Sequence, residues 1–116
     1  MLILKFKLGK ESGNPVRVTM PASSFVLSAA QKYVLGEPCI FVSTDAQDSR
    51  CVARTFIYLA TGQSYDNQYP MQFIGTIVDT NCAVWHVFEV LHDVDEVVAA
   101  PRDAQLMGVL ETLGEI

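Results

Sequence analysis

Ala83-Val84-Trp85-His86-Val87-Phe88-Glu89-Val90-Leu91 is the stretch on which the reading of the fold rests. Its β-branched and aromatic residues suit a pleated, partly buried surface. Asp79-Thr80-Asn81 before it is a tight turn. Upstream, Met71 to Val78 is a second strand, with Gly75 marking a bulge or a close backbone approach. Thr55-Phe56-Ile57-Tyr58-Leu59-Ala60-Thr61 is a third, and Cys39-Ile40-Phe41-Val42-Ser43 a fourth.

Towards the N-terminus, Leu2, Leu4, Phe6 and Leu8 alternate with Ile3, Lys5 and Lys7. Val16, Val18 and Met20 alternate with Arg17 and Thr19. These two strands, joined by the turn cluster Gly9 to Pro15, are expected to form a first hairpin, which Pro21 ends by removing a ladder donor. Residues 25–33 admit a helix through Ala29, Ala30 and Gln31, but Phe25, Leu27 and Ala29 alternate. Two strands joined at Gly36-Glu37 are the preferred reading. Asp45 to Arg50 and Gly62 to Pro70 read as loops. Seven short, mostly antiparallel strands define an all-β domain over residues 1–92, a small barrel or sandwich.

Residues 93–116 differ. Asp93-Val94-Asp95-Glu96-Val97-Val98 is acidic, then apolar, and Pro101 can open a helix. Leu106, Leu110 and Leu113 stand at helical spacing, which predicts a short amphipathic helix docked on the domain or on a partner.

The chain has 116 residues, half of them apolar, enough for one domain with a core. Its net charge of −5 argues against a nucleic-acid binder. Residues 1–88 carry six acids and seven bases, whereas residues 89–116 carry seven acids and one base. The acidity therefore belongs to the end of the chain. Cys39, Cys51 and Cys82 are an odd, sparse set, unlike a disulfide framework. With no signal-peptide pattern and no apolar run of about 18 residues, the expected setting is a reducing cytoplasm, away from membranes.

Several constellations invite a chemical reading. Cys82, His86 and His92 share strand parity, but the two histidines would lie about 20 Å apart along a strand, too far to share a zinc ion. His86 and Glu89 have opposite parity, which argues against a base and its orienting carboxylate; core packing accounts better for Trp85. Cys51 lies between Arg50 and Arg54, a setting that favours a thiolate, with no histidine near it in sequence. The loop Gln63 to Tyr69 carries Tyr65 and Tyr69 among hydrogen-bonding groups, a composition found in binding loops. None of the common enzyme signatures occurs, and no metal or cofactor is expected.

The run Arg54-Thr55-Phe56-Ile57, Ala60-Thr61-Gly62-Gln63, Phe73-Ile74-Gly75-Thr76 and Val84-Trp85-His86-Val87-Phe88-Glu89-Val90 resembles a family of small proteins of unknown function encoded by bacteriophages and prophages. Val18-Thr19-Met20-Pro21 and Gly36-Glu37-Pro38-Cys39-Ile40 belong to the same pattern, which covers about residues 1–91. The chain departs from it in lacking a tryptophan after Cys39, where Phe41 stands nearby, and in extending through residues 92–116. The resemblance implies a phage or prophage origin and a small β fold; it brings no catalytic residue.

The leading expectation is a non-enzymatic phage or prophage protein that binds a host protein in the bacterial cytoplasm, an inhibitor of defence of the anti-CRISPR kind. The target would be a basic, nucleic-acid-binding complex. Asp93, Asp95 and Glu96 would make the electrostatic contacts, and Leu106, Leu110 and Leu113 would anchor the chain or dimerise it. A second reading is a binder of a nucleotide signal, with Arg50, Arg54 and Lys32 meeting phosphate and Tyr65 or Tyr69 stacking on the base. A third is a self-assembling accessory protein with the helix as its oligomer seam.

Overall fold

Alternation of side chains along the chain lays down strands β1 (Leu2–Lys7), β2 (Val16–Pro21), β3 (Phe25–Gln31), β4 (Pro38–Thr44), β5 (Cys51–Ala60), β6 (Met71–Val78), β7 (Val84–Val90) and the two-residue β8 (Glu96–Val97). The structure is a computed structural model; it describes residues 1–31, 37–79 and 82–91, and the backbone of 96–97. Among the described residues there is no helix. The amphipathic helix expected through Leu106, Leu110 and Leu113 lies outside them, as do Lys32, Asp93 and Asp95.

The strands form two antiparallel sheets, one ordered β1-β4-β3 and the other β2-β5-β7-β6, with β8 pairing β5 beyond the end of β7. Residues 25–31 are a strand, hairpinned to β4 with Gln31 opposite Pro38. β6 and β7 form the expected hairpin around Asp79, whose amide donates to the Ala83 carbonyl at 3.0 Å and whose Oδ1 accepts from the Ala83 amide at 3.0 Å.

The expected first hairpin does not form. β1 pairs β4 in one sheet, and β2 pairs β5 in the other. The segment between them crosses from sheet to sheet because its backbone is held by both. Leu8 N–H donates to the Pro38 carbonyl at 2.9 Å, and Gly13 N–H donates to the Tyr58 carbonyl at 2.8 Å. Gly9 and Gly13 take φ of 86° and 84°, a region costly to any residue with a Cβ. β5 also begins four residues earlier than the apolar run beginning at Thr55 suggests. Its first residues are held by β2, with Cys51 opposite Pro21.

The core lies between the sheets. Leu4, Ile40 and Val42 of one meet Val18, Met20, Phe56, Tyr58, Ile77 and Val87 of the other. Lys5, which alternates with the apolar Leu4 and Phe6, is also buried, at 2% exposure. Tyr58 is the polar member of the core. Its hydroxyl donates to the Gly9 carbonyl at 2.9 Å, and its ring meets that of Trp85 edge-on at 5.6 Å.

Burial, and then the nearby carboxylates of Glu37 and Glu11, hold the Tyr58 hydroxyl above the ordinary tyrosine range. A group whose folded pKa is raised stabilises the fold fully below its unfolded value near 10 and loses that contribution as pH rises through the folded value. Spectrophotometric titration should therefore show a late phenolate step, absent in Tyr58→Phe. That variant should lose about 1 kcal/mol at neutral pH, from the missing hydrogen bond, and show a shallower fall in stability above pH 10. A late step that persists in Tyr58→Phe would contradict this assignment.

Candidate functional site

The inward faces of two strands each carry a charge. Arg54 follows the parity of Phe56 and Tyr58 on β5, and Glu89 stands opposite Phe56 on β7. An isolated ion in such a place is costly unless paired and hydrogen-bonded. The two side chains meet fork to fork: Arg54 Nε donates to Glu89 Oε2 at 2.7 Å and Nη2 to Oε1 at 2.5 Å. Arg54 Nη1 donates to the Ser24 carbonyl at 2.9 Å and lies 3.7 Å from Met20 Sδ. The guanidinium carbon sits 5.9 Å from the centroid of the Phe56 ring. One side chain thus joins β5, β7 and the turn that carries the chain from β2 into β3.

This pair floors a cleft of about 200 Å³. Ser24, Phe25, Val26 and Leu27 line one side, and Gln72, Phe73 and Ile74 the other. The rim is apolar and open: Phe25 is 69% exposed, Leu27 49% and Phe73 56%. Phe73 rests edge-on against Phe88, with ring centroids 5.7 Å apart.

The turn behind the cleft is tightly held. Asp48 Oδ2 accepts from the Ser23 amide at 2.9 Å, and Ser23 Oγ lies 3.0 Å from Thr44 Oγ1. Asp48 Oδ1 also accepts from the Arg50 amide at 3.0 Å and from Arg50 Nε at 3.2 Å. The Arg50 backbone amide, more than any other partner, holds the Asp48 carboxyl below its usual range.

Of the residues proposed from sequence for a nucleotide site, the described ones, Arg50, Arg54, Tyr65 and Tyr69, are not brought together around the cleft. Arg54 is committed to Glu89, and Arg50 pairs Asp48 with its side chain largely in solvent. Tyr65 is half-buried and Tyr69 exposed in the loop before β6; neither lines the cleft. Glu96 lies in β8 opposite Val52; its side chain, with those of Lys32, Asp93, Asp95, Leu106, Leu110 and Leu113, is outside the described residues.

Both ring nitrogens of His86 are held by threonines, Nε2 by Thr61 Oγ1 at 2.8 Å and Nδ1 by Thr76 Oγ1 at 3.1 Å. Cys51 is buried, while Cys82 is exposed in a turn with φ of 64°. Among the described residues no group of three or more histidine, cysteine or acidic side chains is placed to hold a metal ion.

The sequence reading missed the Arg54–Glu89 pair. Arg54 is expected there to meet phosphate, and Glu89 is considered only with His86, from which its parity separates it. The signal was there in the parity that puts Arg54 among Phe56 and Tyr58, a place where arginine needs an acid opposite.

The fold and the cleft define a small two-sheet β protein with a charged, paired floor beneath an open apolar rim. The chain belongs to the family described as a domain of unknown function, DUF7352, whose model matches residues 1–97. The match thus extends through β8. Comparison with curated proteins and with solved structures gives no match.

Removing one partner of a largely buried pair leaves the other charge uncompensated. Arg54→Leu or Glu89→Leu alone should cost about 2–4 kcal/mol in urea unfolding, somewhat discounted for partial exposure. The double variant Arg54→Leu/Glu89→Leu should cost clearly less than the sum of the two. Strict additivity would show that the pair is not coupled.

Proposed function

We propose that this protein is a non-enzymatic binding module of phage or prophage origin that engages a protein of its bacterial host. The observation that carries the reading is the cleft between β3 and β6. Scattered exposed apolar residues are ordinary on a protein surface, but a rim of Phe25, Leu27 and Phe73 gathered around one cavity is the kind of patch found at interaction sites. Aromatic anchors beside a pocket are also what protein interfaces draw most of their energy from.

A protein partner fits this site better than a nucleotide does. The cavity, about 200 Å³, falls below the roughly 300–1,000 Å³ of common small-ligand pockets. Its arginine already faces a carboxylate, so a phosphate would have to displace Glu89.

The resemblance to phage and prophage proteins supports the origin and the cytoplasmic setting. The acidic residues Asp93, Asp95 and Glu96 support a basic target, such as the nucleic-acid-binding surface of a defence complex. Among the described residues no helix is long and apolar enough to cross a membrane.

The test is quantitative affinity capture from host lysate by the full chain, beside the Leu27→Asp/Phe73→Asp variant. Both substituted positions are exposed, so melting temperature should change by no more than a few degrees. A discrete host protein should be retained by the native chain and depleted about tenfold or more by the variant. Equal capture by both chains would move the interface away from the cleft. Absence of any enriched protein would end the reading.

A further inference from the structure

β3 and β6 are edge strands of different sheets, and they lie side by side. They are in contact where Gly75 passes Ala29: a Cβ on Gly75 would stand 3.8 Å from the Ala29 Cβ. Both strands run from the cleft towards this contact, because the cleft is lined by their first residues. No backbone hydrogen bond joins them among the described residues.

Each strand is also irregular at the cleft. The β3 register slips between Val26 and Ser28, and the β6 register between Phe73 and Gly75. The extra residues, Leu27 and Ile74, both line the cavity. Bulges bend a strand and increase its twist, and here they accompany the separation of two edges that touch further along. The first halves of β3 and β6 consequently present facing edges that do not satisfy one another. Ser24 Oγ, buried in the same lining, has no hydrogen-bond partner.

We propose that this gap takes an extended peptide segment of a partner protein, added as a strand to the edge of β6 that has no ladder partner among the described residues. The proposal rests on the protein-binding reading above and names the form of the partner. An unpaired strand edge is complemented most directly by another extended backbone. The β6 side is the one assigned, since the Ser24 carbonyl, just before β3, is already engaged by Arg54.

Charge fixes the incoming side chain. Arg54 and Glu89 neutralise each other at the cleft floor, so a carboxylate would contend with Glu89 and a cation with Arg54. An uncharged apolar residue enters the cavity between Leu27 and Ile74. The next residue but one on the same face lies along the rim of Phe25 and Phe73.

Selection of a displayed library of random twelve-residue peptides on the full chain, counter-selected on Leu27→Asp/Phe73→Asp, tests this. The most enriched peptide is then synthesised with single N-methylated amides along its length. Enriched sequences should show apolar residues at alternate positions. N-methylation at amides of one parity should weaken binding about tenfold or more, and at the other parity hardly at all, since only every second amide of an added strand faces its neighbour.

Failure to enrich any peptide overturns the proposal, as does N-methyl sensitivity without parity. So does concentration-dependent self-association of the native chain that the variant abolishes, because a second copy would then occupy the edge. A host protein captured by the native chain and lost by the variant, with no strand-like peptide recovered, would leave the protein-binding reading standing and remove this one.

Discussion

The constraint on which the rest depends is a guanidinium placed on the inward face of a sheet. Arg54 cannot leave that face without reversing the parity of Phe56 and Tyr58, both core residues. Its charge therefore has to be satisfied where it stands. Glu89 does this from the neighbouring strand with two hydrogen bonds, and the Ser24 carbonyl accepts a third. Lysine could neutralise Glu89, but its single nitrogen could not match a carboxylate fork and reach Ser24 with the same planar geometry. The pair thus fixes β7 against β5 and draws the start of β3 towards the opposite sheet.

Given that tether, the rest of the seam follows. β3 is held at its first residues by the turn and further along by contact with β6 at Gly75. Between those points both strands carry an extra residue, and the space left over is the cleft. Edge strands are a hazard to a soluble β protein, and bulges are one way to keep two edges from zipping together or recruiting a third. The same irregularity that blunts these edges leaves, among the described residues, a short stretch of strand edge without a ladder partner beside an aromatic rim.

Much of the fold was legible because strand parity was clear. The observed strands Leu2–Lys7, Val16–Pro21 and Val84–Val90 lie within a residue of where the alternation or the β-rich composition put them. Gly75 marked both a bulge and a close approach. Pairing was less legible, since alternation says which residues share a face and nothing about which strand lies alongside. Turn chemistry alone made Gly9 to Pro15 look like a hairpin loop. The bonds that turn it into a crossing, to Pro38 and Tyr58, come from residues far along the chain. The cleft was invisible for the same reason: it needs Leu27 and Ile74, on strands separated by most of the fold.

The interleaved pairing has a consequence for how the chain reaches this state. β1 has no partner until residues 38–44 exist, and β2 none until residues 51–56 do. During synthesis the N-terminal strands emerge first and wait longest. The local hairpins, β3 with β4 and β6 with β7, can close on their own, but neither sheet is complete until a strand from the opening segment joins it. Such separation of contacting residues slows folding relative to chains of local contacts. It also leaves Leu2 to Leu8 exposed for a time as an unpaired apolar strand, the kind of segment that aggregates or recruits chaperones before its partner arrives.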